Sequence, residues 1–184
     1  MKILYISHKI PYPLSDGGKL RTFHHIKHLS KKHKIASLSF IEDKNELQDI
    51  EELKKHCKVH TFMLPRWKSL LNSALGLLSK KPLRVSYLKN KNFKRKAKKL
   101  TKEADIVIIQ ALRMSQYAFD PKKTILDIVD TPSLQIKRAL KNEKPLWKLI
   151  WGIEYPRIKR YEKQAKNRFK HLLFASKPDQ KAMG

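Results

Sequence analysis

The chain has 184 residues, enough to bury one sizeable hydrophobic core, and carries 42 Lys and Arg against 16 Asp and Glu, a net charge of +26. Such a charge favours polyanionic partners: nucleic acid, an anionic bilayer or phosphorylated small molecules. The single cysteine, Cys57, excludes an internal disulfide, and the apolar run 3–6 is far shorter than the roughly 20 residues of a membrane span. We therefore expect a soluble, cytoplasmic protein that contacts membranes only at their surface.

Short apolar segments alternate with longer amphipathic ones along the chain. The predicted strands are 3–7, 35–41, 59–64, 106–110, 124–129 and 171–175, and the predicted helices are 19–32, 45–56, 67–79, 92–103, 133–140 and 146–168. Segments that are apolar on both faces are typical of strands in a parallel sheet covered by helices on each side. The alternation therefore predicts an α/β fold with a Rossmann-like, doubly wound parallel sheet of about six strands.

The loop after the first predicted strand ends in the pair Gly17-Gly18, which opens the first helix. In doubly wound sheets ligands bind outside the carboxyl ends of the strands, and this loop borders that crevice. Glycines at a helix N-terminus leave backbone N–H groups accessible to an anion. The structural alternative is that Asp16 caps the helix and the glycines permit a sharp turn. The pattern is neither G-x-G-x-x-G nor a P-loop, which argues against nicotinamide dinucleotide and Walker-type sites.

Three segments carry a resemblance to a known family. The first, MKILYISHKIPYPLSDGGKLRTFHHIKHLSKKHKI, resembles the start of a GT-B glycosyltransferase of the glycosyltransferase family 4 kind, although Lys32 replaces the usual glycine before the second strand. The second, LDIVDTPSLQIKR, is similar to a region of sugar transferases from exopolysaccharide systems. The third, EYPRIKRYEKQAKNRFKHLLFASKPDQ, resembles the long helix, strand and turn that follow in those enzymes.

The resemblance covers nearly the whole chain, but only as one half of a GT-B enzyme. It implies that residues 1–184 are the N-terminal, acceptor-binding domain and that a C-terminal nucleotide-sugar domain lies outside this sequence. The full-length enzyme would transfer a hexose from a nucleotide sugar to a carbohydrate or lipid-linked acceptor at the cytoplasmic face of the membrane, and this chain alone would be inactive. The resemblance implies no metal and no cofactor besides the donor substrate.

The same resemblance assigns substrate contacts to the start of the first helix. Gly17 and Gly18 would approach the donor's diphosphate when the two domains close, so that their N–H dipoles offset its negative charge. Arg21, one turn further along, would add a positive charge to the same cleft, or it is a solvated helix residue.

Polar residues after the later strands complete the predicted site. Asp130 follows a predicted strand and, as the catalytic residue, would orient an acceptor hydroxyl or accept its proton; alternatively, it caps the next helix. Asp127, inside that strand, is expected to serve structure. Ser176 would lie near the face between the two domains and contact substrate, and Lys177 is expected to be a surface charge.

The segment between Leu53 and Lys102 contains 16 Lys or Arg and no Asp or Glu. Within it, Trp67 begins an apolar helix face that comprises Leu70, Leu71, Ala74, Leu75, Leu77 and Leu78. An apolar helix with flanking cations suits an anionic membrane surface. Because most amphipathic helices face a protein core, we expect the leucines to pack on the sheet and the lysines to be solvated.

Nucleic acid is the competing partner for this charge. The alternative function is a non-catalytic basic α/β module that binds nucleic acid or another polyanion. No helix-turn-helix, zinc finger or aromatic stacking platform supports it.

Two histidine groups were considered as metal ligands. His24 and His28 lie one helical turn apart, and His56, Cys57 and His60 form a second group. Neither has the complete ligand set of a structural zinc site, so we expect them to be surface or packing residues.

Overall fold

Six parallel strands form one sheet. The computed structural model describes residues 1–141 and 143–183, and the strands are β1 (Lys2–Ile6), β2 (Lys34–Ile41), β3 (Lys58–Met63), β4 (Ile106–Gln110), β5 (Thr124–Ile128) and β6 (His171–Phe174). Their order across the sheet is β3-β2-β1-β4-β5-β6, and each neighbouring pair is parallel. The predicted Rossmann-like, doubly wound sheet is therefore confirmed.

Helices cover both faces of the sheet. In the described residues the α-helices are α1 (Gly17–Ser30), α2 (Ile50–Lys54), α3 (Arg66–Gly76), α4 (Leu83–Tyr87), α5 (Lys91–Glu103), α6 (Pro132–Ala139), α7 (Pro145–Arg168) and α8 (Lys177–Met183). The side chains of α1 and α2 join one hydrophobic core, and those of α5 and α7 join the core on the opposite face. Right-handed crossovers between parallel strands produce this two-sided arrangement.

Strand β1 shows why the strands of this sheet are apolar at consecutive positions rather than at every second one. Leu4 and Ile6 belong to the core under α5 and α7, whereas Ile3 and Tyr5 belong to the core under α1 and α2. All four residues are buried. A strand buried on both faces needs apolar side chains at every position, so its continuous run of apolar residues was readable in the sequence.

The structure divides one predicted helix and adds short elements. The predicted helix 45–56 is a single 3₁₀ turn, Lys44–Leu47, followed by α2. A capping box formed by Asp43 and Glu46 begins the 3₁₀ turn, and this local cap explains the early start. Helix α4 and a 3₁₀ segment, Leu112–Tyr117, were not predicted.

Helix α3 is oriented opposite to the prediction. Its apolar side chains and those just after it are more than half exposed: Trp67, Leu70, Leu71, Leu75, Leu77 and Leu78. Its polar face is turned to the protein, where Ser69 is buried and Asn72 Nδ2 donates a 2.9 Å hydrogen bond to the carbonyl of Lys89. Gly76 packs so closely on Ser86 that an added Cβ would lie 2.7 Å from its side chain. The expectation that the leucines pack on the sheet is therefore wrong.

Hydrogen bonds to nearby backbone carbonyls explain why the polar face of α3, rather than its apolar face, contacts the rest of the protein. Ser73 donates to the carbonyl of Leu83, and Asn72 serves the carbonyls of Tyr87 and Lys89. Backbone carbonyls near buried surface need hydrogen-bond donors, and the polar face of α3 supplies them.

Among the described residues, no helix combines the length and the apolar character that crossing a membrane requires.

Candidate functional site

A large cavity opens at the carboxyl ends of β1 and β4. These central strands are neighbours, and the chain leaves them in opposite directions across the sheet, which makes their junction the topological switch point where doubly wound proteins bind ligands. The cavity measures about 1040 Å³ and is lined by the N-terminus of α1 and by residues that follow β1, β4 and β5. The lining includes four of the predicted site residues, Gly17, Gly18, Arg21 and Asp130.

The N-terminus of α1 faces this cavity. Asp16 caps the helix by accepting a 2.9 Å hydrogen bond from the N–H of Lys19, so the structural role considered for Asp16 is present. A Cβ on Gly17 would meet no atom within 4 Å. A Cβ on Gly18 would lie 3.2 Å from the Asp16 carboxylate and 3.3 Å from the amide of Gln110, which also donates to the carbonyl of Gly18. Gly17 is therefore the open position and Gly18 the closely packed one.

Arg21 is a fixed residue of the cavity wall. It donates two 3.0 Å hydrogen bonds to the carboxylate of Asp127, which is fully buried in β5. This pairing raises the pKa of Arg21. The side chain of Arg21 remains 29% exposed, so it presents charge to the cavity while it neutralises the buried carboxylate. The structural role expected for Asp127 is the one the structure shows.

A histidine and an arginine meet on the cavity wall. His8 follows β1, Arg113 lies in the 3₁₀ segment after β4, and Nη2 of Arg113 donates to Nε2 of His8 at 2.7 Å. Burial lowers the pKa of His8 well below 6.5, and the charge of Arg113 lowers it further. The imidazole is thus neutral, with its proton on Nδ1 because Nε2 accepts from the arginine.

A third arginine enters the cavity from α4. Arg84 Nη1 donates to Oε1 of Gln135 at 3.1 Å, and its guanidinium lies 5.1 Å from the ring centroid of Trp151. The buried carboxylate of Glu154, on α7, accepts from the N–H groups of Leu83 and Arg84 and so holds the first turn of α4. Burial lowers the pKa of Arg84 and raises that of Glu154.

Asp130 is exposed at the cavity, whereas Ser176 is engaged elsewhere. The capping role considered for Asp130 belongs instead to Glu162, which accepts from the N–H of Ser133 at the start of α6. Ser176 lies outside the cavity lining; its hydroxyl donates to Asp179 at 2.5 Å at the start of α8. The assignments of Asp130 as the catalytic residue and of Ser176 as a substrate contact therefore stay predictions, and of the two only Asp130 is brought together with the α1 residues.

Sequence reasoning missed His8, Arg84, Gln110 and Arg113 as cavity residues. Gln110 ends β4 and His8 comes two residues after β1, so the rule that sites gather at the carboxyl ends of strands could have found them. No comparable signal marks Arg84, because the crossover that brings α4 over the cavity is a tertiary feature.

The histidine groups considered as metal ligands have other contacts. Nδ1 of His28 donates to the carbonyl of His24 at 2.8 Å, and the ring of His56 packs edge-on against Phe23. Burial raises the pKa of Cys57 to about 12, which keeps its thiol protonated. Within residues 1–141 and 143–183, no three His, Cys, Asp or Glu residues are grouped so that they could hold a metal ion.

Comparison with known proteins gave structural neighbours only. No protein-family model and no curated protein matches the chain. Similar solved structures include UGT89C1 of Arabidopsis thaliana in complex with UDP-L-rhamnose, which is 14% identical with a TM-score of 0.46 over 95% of this chain and 42% of that chain. The same protein complexed with UDP is 14% identical, with a TM-score of 0.44 over 96% of this chain and 43% of that chain. A further UGT89C1 structure is 11% identical, with a TM-score of 0.43 over 96% of this chain and 49% of that chain. This chain thus spans less than half the length of those proteins.

Proposed function

We propose that this chain is the acceptor-binding half of a GT-B glycosyltransferase that works on a lipid-linked acceptor at an anionic membrane surface. The observation that carries the proposal is the position of Gly17, Gly18, Arg21 and Asp130 around one cavity at the switch point of the sheet. These are the residues that the sequence resemblance connects with donor and acceptor. The donor-binding domain lies outside the 184 residues in this proposal.

The N-terminus of α1 supports contact with a diphosphate. Within the described part of the chain, Asp16 engages the N–H of Lys19, and the N–H groups of Gly17 and Gly18 donate to no protein acceptor. Unsatisfied N–H groups at a helix start attract anions, and the open space around Gly17 lets a second domain bring a diphosphate against them. As the sugar leaves the donor, negative charge grows on the diphosphate and these dipoles stabilise it.

Asp130 supplies the acceptor side of the reaction. Its carboxylate is exposed at the cavity, two residues after β5, and no helix cap depends on it because Glu162 accepts from the first turn of α6. A carboxylate in this position orients an acceptor hydroxyl or takes up its proton.

The membrane part of the proposal rests on the exposed face of α3. We call this surface the α3 face: Trp67, Leu70, Leu71, Leu75, Leu77 and Leu78. Exposed cations Lys68, Lys80 and Lys81 flank it. Leucines and a tryptophan beside lysines match a bilayer interface with anionic headgroups, which attract each nearby cation by about 1 kcal/mol.

A second apolar surface adjoins the α3 face. Arg157 of α7 donates to the carbonyls of Gly76 and Leu77 at the end of α3, so the two helices meet there. One to three turns earlier, α7 exposes Trp147 and Ile153, together with Leu149. In this proposal the membrane would meet both helices, which the hydrogen bonds of Arg157 join at the end of α3.

A transfer assay tests the catalytic part. Full-length enzyme is incubated with radiolabelled nucleotide sugars and a membrane lipid extract, and we expect label in the lipid phase. Asp130→Asn should lower kcat by about 10²-fold or more. Asp120→Asn is the matched control, because Asp120 caps a 3₁₀ turn at the amino edge of the sheet. Absence of transfer with every nucleotide sugar, or equal activity of the Asp130 variant and the parent, contradicts the proposal.

Vesicle sedimentation tests the membrane part. The double variant Leu75→Ser/Leu78→Ser should reduce binding to anionic vesicles about tenfold or more, since burying one leucine contributes roughly 1.5–3 kcal/mol. Leu47→Ser alters an exposed leucine outside the α3 face, in the turn before α2, and should bind as the parent does. Equal binding of the double variant, or preference for oligonucleotides over vesicles at about 150 mM salt, would instead favour the polyanion-binding module.

A further inference from the structure

Two arginines share the cavity without a carboxylate partner. Arg84 and Arg113 both line it, and among the described residues neither forms a salt bridge. The groups that contact the two guanidiniums are neutral: Gln135 and the ring of Trp151 for Arg84, and His8 for Arg113. The nearby carboxylate of Glu154 accepts from the backbone N–H of Arg84 and attracts its charge without forming a salt bridge with it. By contrast, Arg21 in the same cavity is matched by the carboxylate of Asp127.

Both guanidiniums line the same cavity and both are partly buried. Burial lowers the pKa of Arg113, and the charge of Arg84 lowers it further, partly offset by Tyr87 and Asp130. Two like charges in a partly buried cavity repel, and a bound anion relieves that repulsion. Each guanidinium has five N–H donors, of which the observed contacts use few, so donors remain for a ligand.

The surrounding contacts hold both arginines in place. Gln116 donates to the carbonyl of Val85, beside Arg84, and to the carbonyl of Arg113, and so joins the two segments. Glu154 fixes the first turn of α4. Ala111 has a φ of 69°, a left-handed conformation that a non-glycine residue adopts only where the surroundings enforce it, and it directs the chain from β4 into the segment carrying Arg113.

We propose that Arg84 and Arg113 form an anion subsite that binds the diphosphate of the acceptor. Paired guanidiniums bind phosphate oxygens through parallel charge-assisted hydrogen bonds, which suits them to a diphosphate. This inference rests on the proposed function, because it assigns the bound group to the acceptor. It adds the chemical class of that acceptor: a saccharide joined to a lipid through a diphosphate.

The location of the subsite connects it with the α3 face. Arg84 lies on α4, and α4 packs directly on α3 where Gly76 meets Ser86. A diphosphate between lipid and saccharide lies at the headgroup level of a membrane. With α3 on the bilayer, Arg84 would meet that diphosphate while the saccharide extends towards Asp130, which lines the same cavity.

Isothermal titration with inorganic pyrophosphate tests the subsite. Arg84→Gln and Arg113→Gln should each weaken binding about tenfold or more, because each removes charge-assisted hydrogen bonds. Arg95→Gln removes an exposed charge from α5 and should change the affinity less than twofold. Arg113 is the more buried of the two, so the partly exposed Arg84 carries the test if the Arg113 variant does not fold. Unchanged affinity of Arg84→Gln, or equal weakening by Arg95→Gln, overturns the proposal.

Two further ligands identify the source of the diphosphate. An isoprenyl diphosphate in neutral vesicles represents the acceptor and UDP represents the donor. In the full-length enzyme, we expect Arg84→Gln to weaken binding of the isoprenyl diphosphate and to leave UDP binding unchanged; the reverse pattern overturns the assignment to the acceptor. These titrations need no transfer reaction, so a failed subsite and a failed transferase assignment give different results.

Discussion

Arg21 on α1 and Asp127 on β5 are joined by two parallel 3.0 Å hydrogen bonds, and the carboxylate is fully buried while the guanidinium is 29% exposed. The pair connects the helix that opens the cavity to a strand two positions from β1 in the sheet. It places the positive charge of the cavity wall at a fixed point. Removal of Arg21 would leave a buried charge unpaired, whereas removal of Asp127 would leave a charge that is partly exposed to water.

Removal of Arg21 should therefore destabilise the protein more than neutralisation of Asp127. Arg21→Gln leaves a buried carboxylate without its countercharge, and we expect a loss of about 3 kcal/mol in the free energy of unfolding. Asp127→Asn leaves an arginine that water can reach, so the loss should be smaller. Urea unfolding of both variants measures the difference, and a larger loss for Asp127→Asn would contradict this view of the pair.

The two glycines should separate function from stability. Gly17→Ala places a methyl group in open space and restricts the unfolded chain, so we expect the protein to be unchanged or stabilised by about 0.5 kcal/mol. The same methyl group should lower transfer by the full-length enzyme, because it lies where the diphosphate would approach. Gly18→Val should lower stability as well, since its Cβ meets Asp16 and Gln110. Thermal unfolding and kcat/KM, measured on each variant, give the comparison; full activity of Gly17→Ala would count against the proposed diphosphate contact.

The inverted orientation of α3 predicts reversed sensitivities on its two faces. Gly76→Ala should destabilise the protein by about 1–3 kcal/mol, because its new Cβ lies 2.7 Å from Ser86. Leu75→Ser, on the exposed face, should change the free energy of unfolding by less than about 0.5 kcal/mol. The midpoints of denaturant unfolding, compared between variants that have equal m-values, measure the two effects. A large loss in the free energy of unfolding from Leu75→Ser would mean that this leucine is buried in solution.

The neutral histidine of the cavity predicts a loss of stability in acid. Burial and the charge of Arg113 hold the pKa of His8 well below 6.5, so below that pH the unfolded chain binds a proton that the folded protein rejects. Stability from this group is therefore complete above pH 6.5 and declines as the pH falls, at a limiting slope of about 1.4 kcal/mol per pH unit. The variant His8→Gln should show a shallower decline between pH 7 and 5. His24→Gln, which alters an exposed histidine, should behave as the parent, and equal slopes for all three proteins would contradict the prediction.

Much of the fold follows from local patterns. Each of the six strands was predicted within one residue at either end, because a strand buried on both faces shows itself as a short continuous apolar run. The long helix α7 and the glycine-containing start of α1 were predicted within two residues for similar local reasons. The position of Asp130 at the carboxyl edge of the sheet followed from its place after a predicted strand, and that of Gly17 from its place at the end of the loop after the first strand.

The orientation of α3 and the position of Arg84 and Arg113 on one cavity were decided by tertiary structure alone. Periodicity shows that a helix has an apolar face but not what that face contacts, and here the carbonyls around α4 take the polar face instead. Arg84 and Arg113 belong to segments on either side of α5 and β4, and Gln116 joins those segments only after the crossover has formed. The sequence therefore determined the six strands, because burial on both faces shows itself in a local run of apolar residues. Which side chains come together around the cavity depends on how the connections between strands cross the sheet, and that path is not encoded in local residue patterns.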